Sequence, residues 1–354
     1  MPSESLDRLY SRVARRVLTE TLQVKKGDAV TVETWDNGLP FARKALAEAR
    51  GMGCTGIMIY EDERAYVEGV RRAPADVVGA MGKNEYALLS GTDHYIFVPG
   101  QALGSLSKTL KPVERTRSTR YNSSWYEAAQ KAGLKGARLS FGYVGKDLAR
   151  ALGKKAEDVV RSQLRAALAD YGQISITAGR IAPLFSDEAE AAVGSGKSTL
   201  EFSFKGELGV EDGIVDDHDK EAGENMTYVP PGFVSKEIDP ESANGIVEIR
   251  DSLTDFGVVP WARLEFKGGR LVSWESEAEA TMKKAVGSLP PEDRRLKLLV
   301  LGLNPELDYG NGQDRFVGGA LNLSGFGFRG VVKKGDLRVV GKSVVAAGRP
   351  SVTG

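Results

Sequence analysis

The chain has 354 residues, of which 48 are basic and 48 acidic, so its formal net charge is zero and no overall field attracts nucleic acid or an anionic membrane. Its one cysteine, Cys54, excludes an internal disulfide framework and cysteine-rich metal sites. The N-terminus lacks the apolar segment of an export signal, and no apolar run of about 18 residues predicts a membrane span. We therefore predict a cytoplasmic protein with neither a nucleic-acid nor a membrane partner.

The first half of the chain alternates predicted helices and strands. Apolar residues spaced three and four apart predict an amphipathic helix over residues 4–22. Strands are predicted over 29–35 and 54–60, with a helix over 39–50 between them that carries Pro40 in its first turn. This β-α-β order is typical of parallel strands, and a further strand is predicted over 94–98. Residues 1–183 are therefore predicted to form a Rossmann-like α/β layer domain.

The second half is dominated by short strands between glycine turns. A helix over 145–171 and a strand over 174–178 lead into it. Strands are then predicted over 200–204, 245–249, 262–266, 270–274, 317–323 and 337–345, with a helix near 275–286. The run from Lys267 to Arg270 contains two glycines and predicts a hairpin turn. Residues 184–354 are therefore predicted to form a β-rich second domain, which makes the whole chain an α/β protein.

Three segments carry a resemblance to a known family: Val-Pro-Pro-Gly-Phe-Val from residue 229, Leu-Leu-Val-Leu-Gly-Leu-Asn-Pro from 298, and Gly-Ala-Leu-Asn-Leu-Ser-Gly from 319. They resemble the signatures of the aminopeptidase T family of metallo-aminopeptidases and of its relative, 2,5-dihydroxypyridine dioxygenase. The resemblance extends along almost the whole chain. It implies an α/β domain followed by a β-rich domain that carries the metal site, and a homodimer or related oligomer.

The resemblance places apolar residues where the family has metal ligands. The family's two glutamates in these segments fall on Phe233 and Leu298, and its histidine falls on Leu321. A catalytic divalent ion needs three or more oxygen or nitrogen donors, which these side chains do not have. The chain has only two histidines, His94 and His218, and neither lies in a recognisable catalytic triad. We therefore predict a divergent member of this fold without the family metal, and interpret His94 as a packing residue.

One acidic loop is a weak alternative metal site. It contains six acidic residues and one histidine: Asp212, Asp216, Asp217, His218, Asp219, Glu221 and Glu224. Asp216, His218, Asp219 and Glu224 have the residue types and spacing to chelate a divalent ion. A solvated loop whose aspartates stabilise turns is the favoured interpretation.

Three further motifs are interpreted as structural. Residues 194–199 resemble a phosphate-binding loop, but Ala191 replaces its first glycine and a strand follows, so a loop turn between domains is favoured. Residues 325–330 match the dinucleotide fingerprint without a helix after it, which favours a β turn. The basic residues Lys108, Lys111, Arg115, Arg117 and Arg120 precede Tyr121, Trp125 and Tyr126, a pattern more typical of a solvated helix or dimer contact than of nucleic-acid binding.

Three functions follow from these observations. The leading hypothesis is a metal-free, non-catalytic binding or assembly protein, either a homodimer or a subunit that partners a paralogue, with a peptide or small apolar ligand. The alternative is an active aminopeptidase that uses zinc, cobalt or manganese to cleave N-terminal residues from peptides. A third hypothesis is different chemistry at the polar residues near the same segments, namely Asn304, Asp308, Tyr309, Asn322 and Ser324.

Overall fold

The computed structural model describes residues 4–74, 76–99, 111–254, 256–287, 289–325 and 328–351. The α-helices of these residues are α1 (Leu6–Arg16), α2 (Leu39–Gly51), α3 (Glu63–Arg72), α4 (Lys83–Ser90), α5 (Pro112–Ala132), α6 (Lys146–Ala151), α7 (Ala156–Ala166), α8 (Tyr171–Ile181), α9 (Asp217–Ala222) and α10 (Glu279–Gly287). None of the helices in the described part of the chain has the length and hydropathy that crossing a membrane requires.

The strands fall into one parallel and one largely antiparallel sheet. They are β1 (Ala29–Thr34), β2 (Thr55–Tyr60), β3 (His94–Val98), β4 (Lys135–Leu139), β5 (Glu190–Ser195), β6 (Ser198–Glu211), β7 (Met226–Val229), β8 (Phe233–Ile238), β9 (Asn244–Thr254), β10 (Gly257–Lys267), β11 (Arg270–Ser276), β12 (Leu296–Gly302), β13 (Leu321–Gly325), β14 (Phe328–Val332), β15 (Asp336–Val339), β16 (Lys342–Ala346) and β17 (Arg349–Pro350). This mixture confirms the predicted α/β class.

The chain divides into two compact units that do not follow a single cut in the sequence. The first comprises Met1–Leu168 and Gly213–Pro230, and the second comprises Ala169–Asp212 and Pro231–Gly354. The segment 213–230 belongs to the first unit because β7 pairs with β4 there. The segment 169–183, on the N-terminal side of the boundary predicted at residue 183, groups with the second unit.

The first unit is built on the parallel sheet, whose strand order is β2-β1-β3-β4-β7. Side chains alternate between the two faces of a strand, so Val30 and Val32 lie on one face of β1 and Thr31 and Glu33 on the other. The valine face forms a buried core with residues of α1, α2 and α7. The opposite face of the same sheet carries polar and aromatic side chains.

The second unit is built on the larger sheet, with the strand order β11-β10-β9-β14-β13-β12-β8-β6-β5-β15-β16-β17. Its core collects alternate residues of these strands together with one face of α8. Phe185 and Phe204 stack there with ring centroids 4.9 Å apart. The predicted hairpin turn is confirmed, because Lys267 pairs with Arg270 across Gly268 and Gly269.

Several predicted elements are corrected. The strand predicted over 174–178 is wrong, because the Asp170 carboxylate caps α8 by accepting a hydrogen bond from the Gln173 amide at 3.0 Å. Ile174, Ala178 and Ile181 are buried at helical spacing. This spacing cannot be recognised within an apolar run as short as residues 174–178. The helix predicted over 145–171 is broken after α6, where Gly153 has a φ of +64°.

Two predicted strands in the second half also differ from the structure. The strand predicted over 317–323 begins only at Leu321, and the one predicted over 337–345 is two strands, β15 and β16, joined by a turn at Val340 and Gly341.

The β10–β11 turn supplies a matched test of backbone constraint. Both glycines have positive φ, but a Cβ on Gly269 would lie 1.8 Å from the Pro240 carbonyl oxygen, whereas a Cβ on Gly268 would meet nothing within 4 Å. We expect Gly268→Ala to lower the free energy of unfolding by about 1–2 kcal/mol, the cost of a left-handed non-glycine residue. Gly269→Ala should cost clearly more, and equal losses in urea denaturation would contradict this account.

Candidate functional site

The register of β8, β12 and β13 determines which faces of the sheet carry Phe233, Leu298 and Leu321, the three positions predicted to replace metal ligands. Phe233 pairs with Gly302, Leu298 lies four residues before Gly302 on β12, and Leu321 pairs with Leu301. Directly paired antiparallel residues share a face, and successive residues alternate faces. Phe233 and Leu298 therefore lie on one face of the sheet and Leu321 lies on the other.

Leu321 is part of the core of the second unit. Its side chain is 0% exposed, and it packs in the same cluster as Leu299, Leu301 and Leu323. The strands thus bring two of the three predicted positions to one face and direct the third into packed hydrocarbon.

Phe233 lies in an aromatic patch with a cation beside it. Its ring centroid is 5.3 Å from that of Phe316. The Arg315 guanidinium lies 4.7 Å from the Phe316 centroid and 5.8 Å from the Phe233 centroid. Such contacts stabilise a cation on aromatic faces and present no metal donor.

The face shared by Phe233 and Leu298 does not suit a divalent ion. On β8, β12 and β13, whose residues are all described, its polar side chains are those of Ser235, Glu237, Asn322 and Ser324. Glu237 is exposed, and the neighbouring β6 adds buried Glu211, which pairs with Phe233. Two carboxylates with hydroxyls and an amide, without histidine or cysteine, fall short of a typical zinc ligand set. Across the described ranges, no three His, Cys, Asp or Glu side chains are grouped so as to hold one ion.

Asn304 and Tyr309, two of the polar residues proposed for a different chemistry, contact other residues of the second unit. Asn304 is 0% exposed, and its amide donates to the Pro231 carbonyl at 2.9 Å while accepting from the Glu306 amide at 3.0 Å. The Lys333 ammonium lies 5.1 Å from the Tyr309 ring centroid. Asn304 therefore supports the backbone of this loop.

The acidic loop forms the short helix α9, and two of its four candidate ligands cap that helix. Asp216 accepts from the Asp219 amide at 3.0 Å, and Asp219 accepts in return from the Asp216 amide at 2.9 Å. This reciprocal arrangement is a capping box. Asp217 pairs with Lys135 at 3.3 Å, and Glu224 is exposed. The His218 side chain lies outside the described part.

His94 is buried and pairs with an acid at the amino end of the parallel sheet. Its Nε2 lies 2.9 Å from an Asp28 carboxylate oxygen. Burial lowers the pKa of His94 despite this partner. A cavity of about 270 Å³ is lined by both residues and by Asp217 and Lys220 of the acidic loop, so the fold brings two separate sequence features together.

The remaining motifs are parts of hairpins. Gly196 and Lys197 form a tight turn inside the second unit, where Ser195 pairs with Ser198, so the predicted loop between domains is corrected to a β5–β6 hairpin. Gly325 pairs with Phe328 across residues 326 and 327, which lie outside the described ranges. Of the basic stretch, Lys108 lies outside the description, as do the side chains of Arg115 and Arg117.

A second polar site was not predicted from the sequence. Glu33 and Arg138 lie on the polar face of the parallel sheet, beside a small cavity walled by aromatic residues of β3 and α5. A charged residue inside an otherwise apolar strand, as in Ala-Val-Thr-Val-Glu-Thr, is the signal that could have located it.

Two solved structures share the fold. AmpT (aminopeptidase T) from Thermus thermophilus superposes with a TM-score of 0.66 and 14% identity over 98% of this chain and 100% of that chain. The 2,5-dihydroxypyridine dioxygenase of Pseudomonas putida KT2440 superposes with a TM-score of 0.64 and 13% identity over 99% of this chain and 99% of that chain. No protein-family model matches the sequence, and no curated protein matches it. The chain therefore has the two-domain fold of these proteins, with very little sequence in common.

The opposite orientations of Leu298 and Leu321 predict different mutational costs. Leu321→Ala should lower the free energy of unfolding by about 2–5 kcal/mol, because it opens a cavity in a packed core. Leu298→Ala, at a partly buried position on the other face, should cost distinctly less. If both variants lose the same free energy of unfolding in chemical denaturation, the assignment of Leu298 and Leu321 to opposite faces is incorrect.

The Glu33 carboxyl predicts a pH-dependent stability. Burial raises its pKa from 4.5 to about 7, with Glu61 and Glu85 adding to the shift and Tyr95 and Arg138 opposing it. Between these pH values the folded protein holds a proton that the unfolded chain releases, so this contribution to stability falls as the pH rises from about 4.5 to about 7. Glu33→Gln should flatten that part of the curve in denaturation measured across this range, and an unchanged slope would refute the assignment.

Proposed function

We propose that this protein is a metal-independent binding or assembly protein built on the aminopeptidase T fold, without metallopeptidase activity. The observation that carries the proposal is the donor set: Phe233 and Leu298 share a face whose carboxylates are exposed Glu237 and buried Glu211, with no histidine or cysteine on β6, β8, β12 or β13, and Leu321 belongs to the core. A divalent ion needs several converging oxygen or nitrogen ligands.

Burial of Leu321 supports the proposal further. The Leu321 side chain is 0% exposed within an apolar cluster, so this position offers an ion neither a donor nor polar neighbours. Replacing polar ligands by hydrocarbon removes the cost of holding polar groups in a core and stabilises the sheet instead. This exchange favours a protein that keeps the architecture for binding or assembly.

The competing function is a metal-dependent aminopeptidase that removes N-terminal residues from peptides. It is favoured by the likeness to AmpT over 98% of the chain. At 14% identity this likeness concerns the fold alone, so the activity has to be tested directly.

The deciding experiment measures metal content and peptidase activity on the same preparation. After incubation with zinc, cobalt and manganese in turn, then desalting, mass spectrometry should find no stoichiometric ion. Aminoacyl-p-nitroanilides should not be cleaved by any of the metal-treated samples. A stoichiometric ion together with cleavage that a chelator abolishes would establish the aminopeptidase.

A single restored ligand should not create activity. Leu321→His adds an imidazole on the core face, opposite Phe233 and Leu298, so we expect lower stability and no metal-dependent cleavage. Asn322→His is the matched control, because it places the imidazole on the face of Leu298, where residue 322 pairs with Val300. Cleavage by the Leu321→His protein would show that the site needs only one ligand to function and would overturn the proposal.

A further inference from the structure

The parallel sheet of the first unit carries opposite charges on its polar face. One cross-strand row runs from Glu33 on β1 through Phe97 on β3 to Arg138 on β4 and Tyr228 on β7. Aligned residues of neighbouring parallel strands point to the same side of the sheet. Glu33 and Arg138 are two strands apart, which separates their Cα atoms by about 10 Å.

Glu33 hydrogen-bonds to the first of three aromatic side chains that contact one another in series. It accepts a hydrogen bond from the Tyr95 hydroxyl. The Tyr95 ring packs edge-to-face on Trp125 at 4.9 Å, and Trp125 packs edge-to-face on Tyr126 at 5.4 Å. The carboxylate therefore lies beside a group of aromatic rings, whose faces favour a cation.

Arg138 is placed over aromatic rings and keeps donors available. Its guanidinium lies 5.4 Å from the centroids of Phe97 and Tyr143 and 5.9 Å from that of Tyr228. One terminal nitrogen donates to the Tyr143 hydroxyl. The Nε–H is buried and has no acceptor among the residues that the structure describes. A buried donor of a charged group without an acceptor is costly, so this position favours an acceptor supplied from outside the chain.

A cavity lies between the two charges. Its volume is about 70 Å³, and it is lined by Glu33, Arg138 and the rings of Tyr95, Phe97, Trp125 and Tyr126, among other residues. Tyr126 is 39% exposed, so the cavity is reached from solvent on that side.

We propose that this cavity binds a small zwitterion of the amino-acid type, with its ammonium group at Glu33 and its carboxylate at Arg138. An arginine fork recognises a carboxylate through two parallel hydrogen bonds. An ammonium group is complementary to the Glu33 carboxylate and to the aromatic rings beside it. Glu33 and Arg138 make no ion pair with each other, although both are described, so a bridging ligand would satisfy both charges.

Other ligand classes fit less well. A simple anion would complement Arg138 and be repelled by ionised Glu33, and a simple cation would have the reverse defect. The inference concerns the first unit alone and holds whether or not the second unit binds a metal.

The experiment titrates the protein with glycine and follows heat by calorimetry and the intrinsic tryptophan fluorescence, to which Trp125 contributes as one of four tryptophans. Glycinamide, which lacks the carboxylate, and N-acetylglycine, which lacks the ammonium group, are the matched probes. We expect saturable glycine binding and at least tenfold weaker binding of either analogue, as loss of a charge-assisted hydrogen bond requires. No saturable binding of glycine, or equal binding of all three, would overturn the proposal.

Variants then assign the two ends of the ligand. Glu33→Gln and Arg138→Gln should each weaken glycine binding at least tenfold. Arg138→Lys keeps the charge without the fork and should weaken binding to a lesser degree, which carries the test if Arg138→Gln does not fold. Glu237→Gln, which removes an exposed acid of the second unit, should leave glycine affinity unchanged.

A purely structural role gives a different result. In that case the Glu33 and Arg138 variants would lower the melting temperature while the unaltered protein shows no saturable response to glycine. Because these readouts need neither metal nor peptidase activity, their failure is distinct from a failure of the metal-independent function proposed for the second unit.

Discussion

Side chains along a β-strand alternate between the two faces of the sheet, and this two-residue period determines which residues of this protein can meet at one site. In the second unit it decides that Phe233 and Leu298 share a face while Leu321 faces the core. In the first unit it separates the valines of β1 from Thr31 and Glu33. A shift of one residue in register moves a side chain to the opposite face. Small shifts in pairing therefore decide whether a residue can contribute to a binding site or packs in the core.

The same alternation explains how an unchanged architecture can carry different chemistry. The backbone hydrogen bonds of β8, β12 and β13 do not depend on whether their side chains are ligands or hydrocarbon. The fold shared with AmpT and with a dioxygenase is therefore compatible with several functions. Function follows from the donors that a face presents, and in this protein those donors are few on the face of Phe233.

The first unit shows how a polar group is accommodated inside a sheet that is otherwise apolar. Glu33 is partly buried and keeps a raised pKa, and its hydrogen bond to Tyr95 limits that rise. Arg138 is stabilised by three aromatic rings instead of by a direct carboxylate partner. Glu33 and Arg138 lie on β1 and β4, with β3 between them, and both line one cavity, where a dipolar ligand would gain most from a low local dielectric.

Local pattern in the sequence was sufficient for the class of the fold and for many of its elements. The helical spacing near the N-terminus, the β-α-β order and the hairpin at Gly268 and Gly269 depend on neighbours close in the chain, so the sequence itself determines them. Short apolar runs are ambiguous, as the helix through Ile174 shows, because strand and helix periods coincide over a few residues.

Pairing between distant segments was decided only in the tertiary structure. The sequence determined that Phe233, Leu298 and Leu321 carry no donor, but their faces depend on the register between three strands. Likewise, the sequence does not predict that Glu33 and Arg138, which are more than a hundred positions apart, lie in one cross-strand row. Hydrogen bonds between strands, formed to bury the apolar faces, set that row, and the sequence specifies them only through the packing of the whole unit.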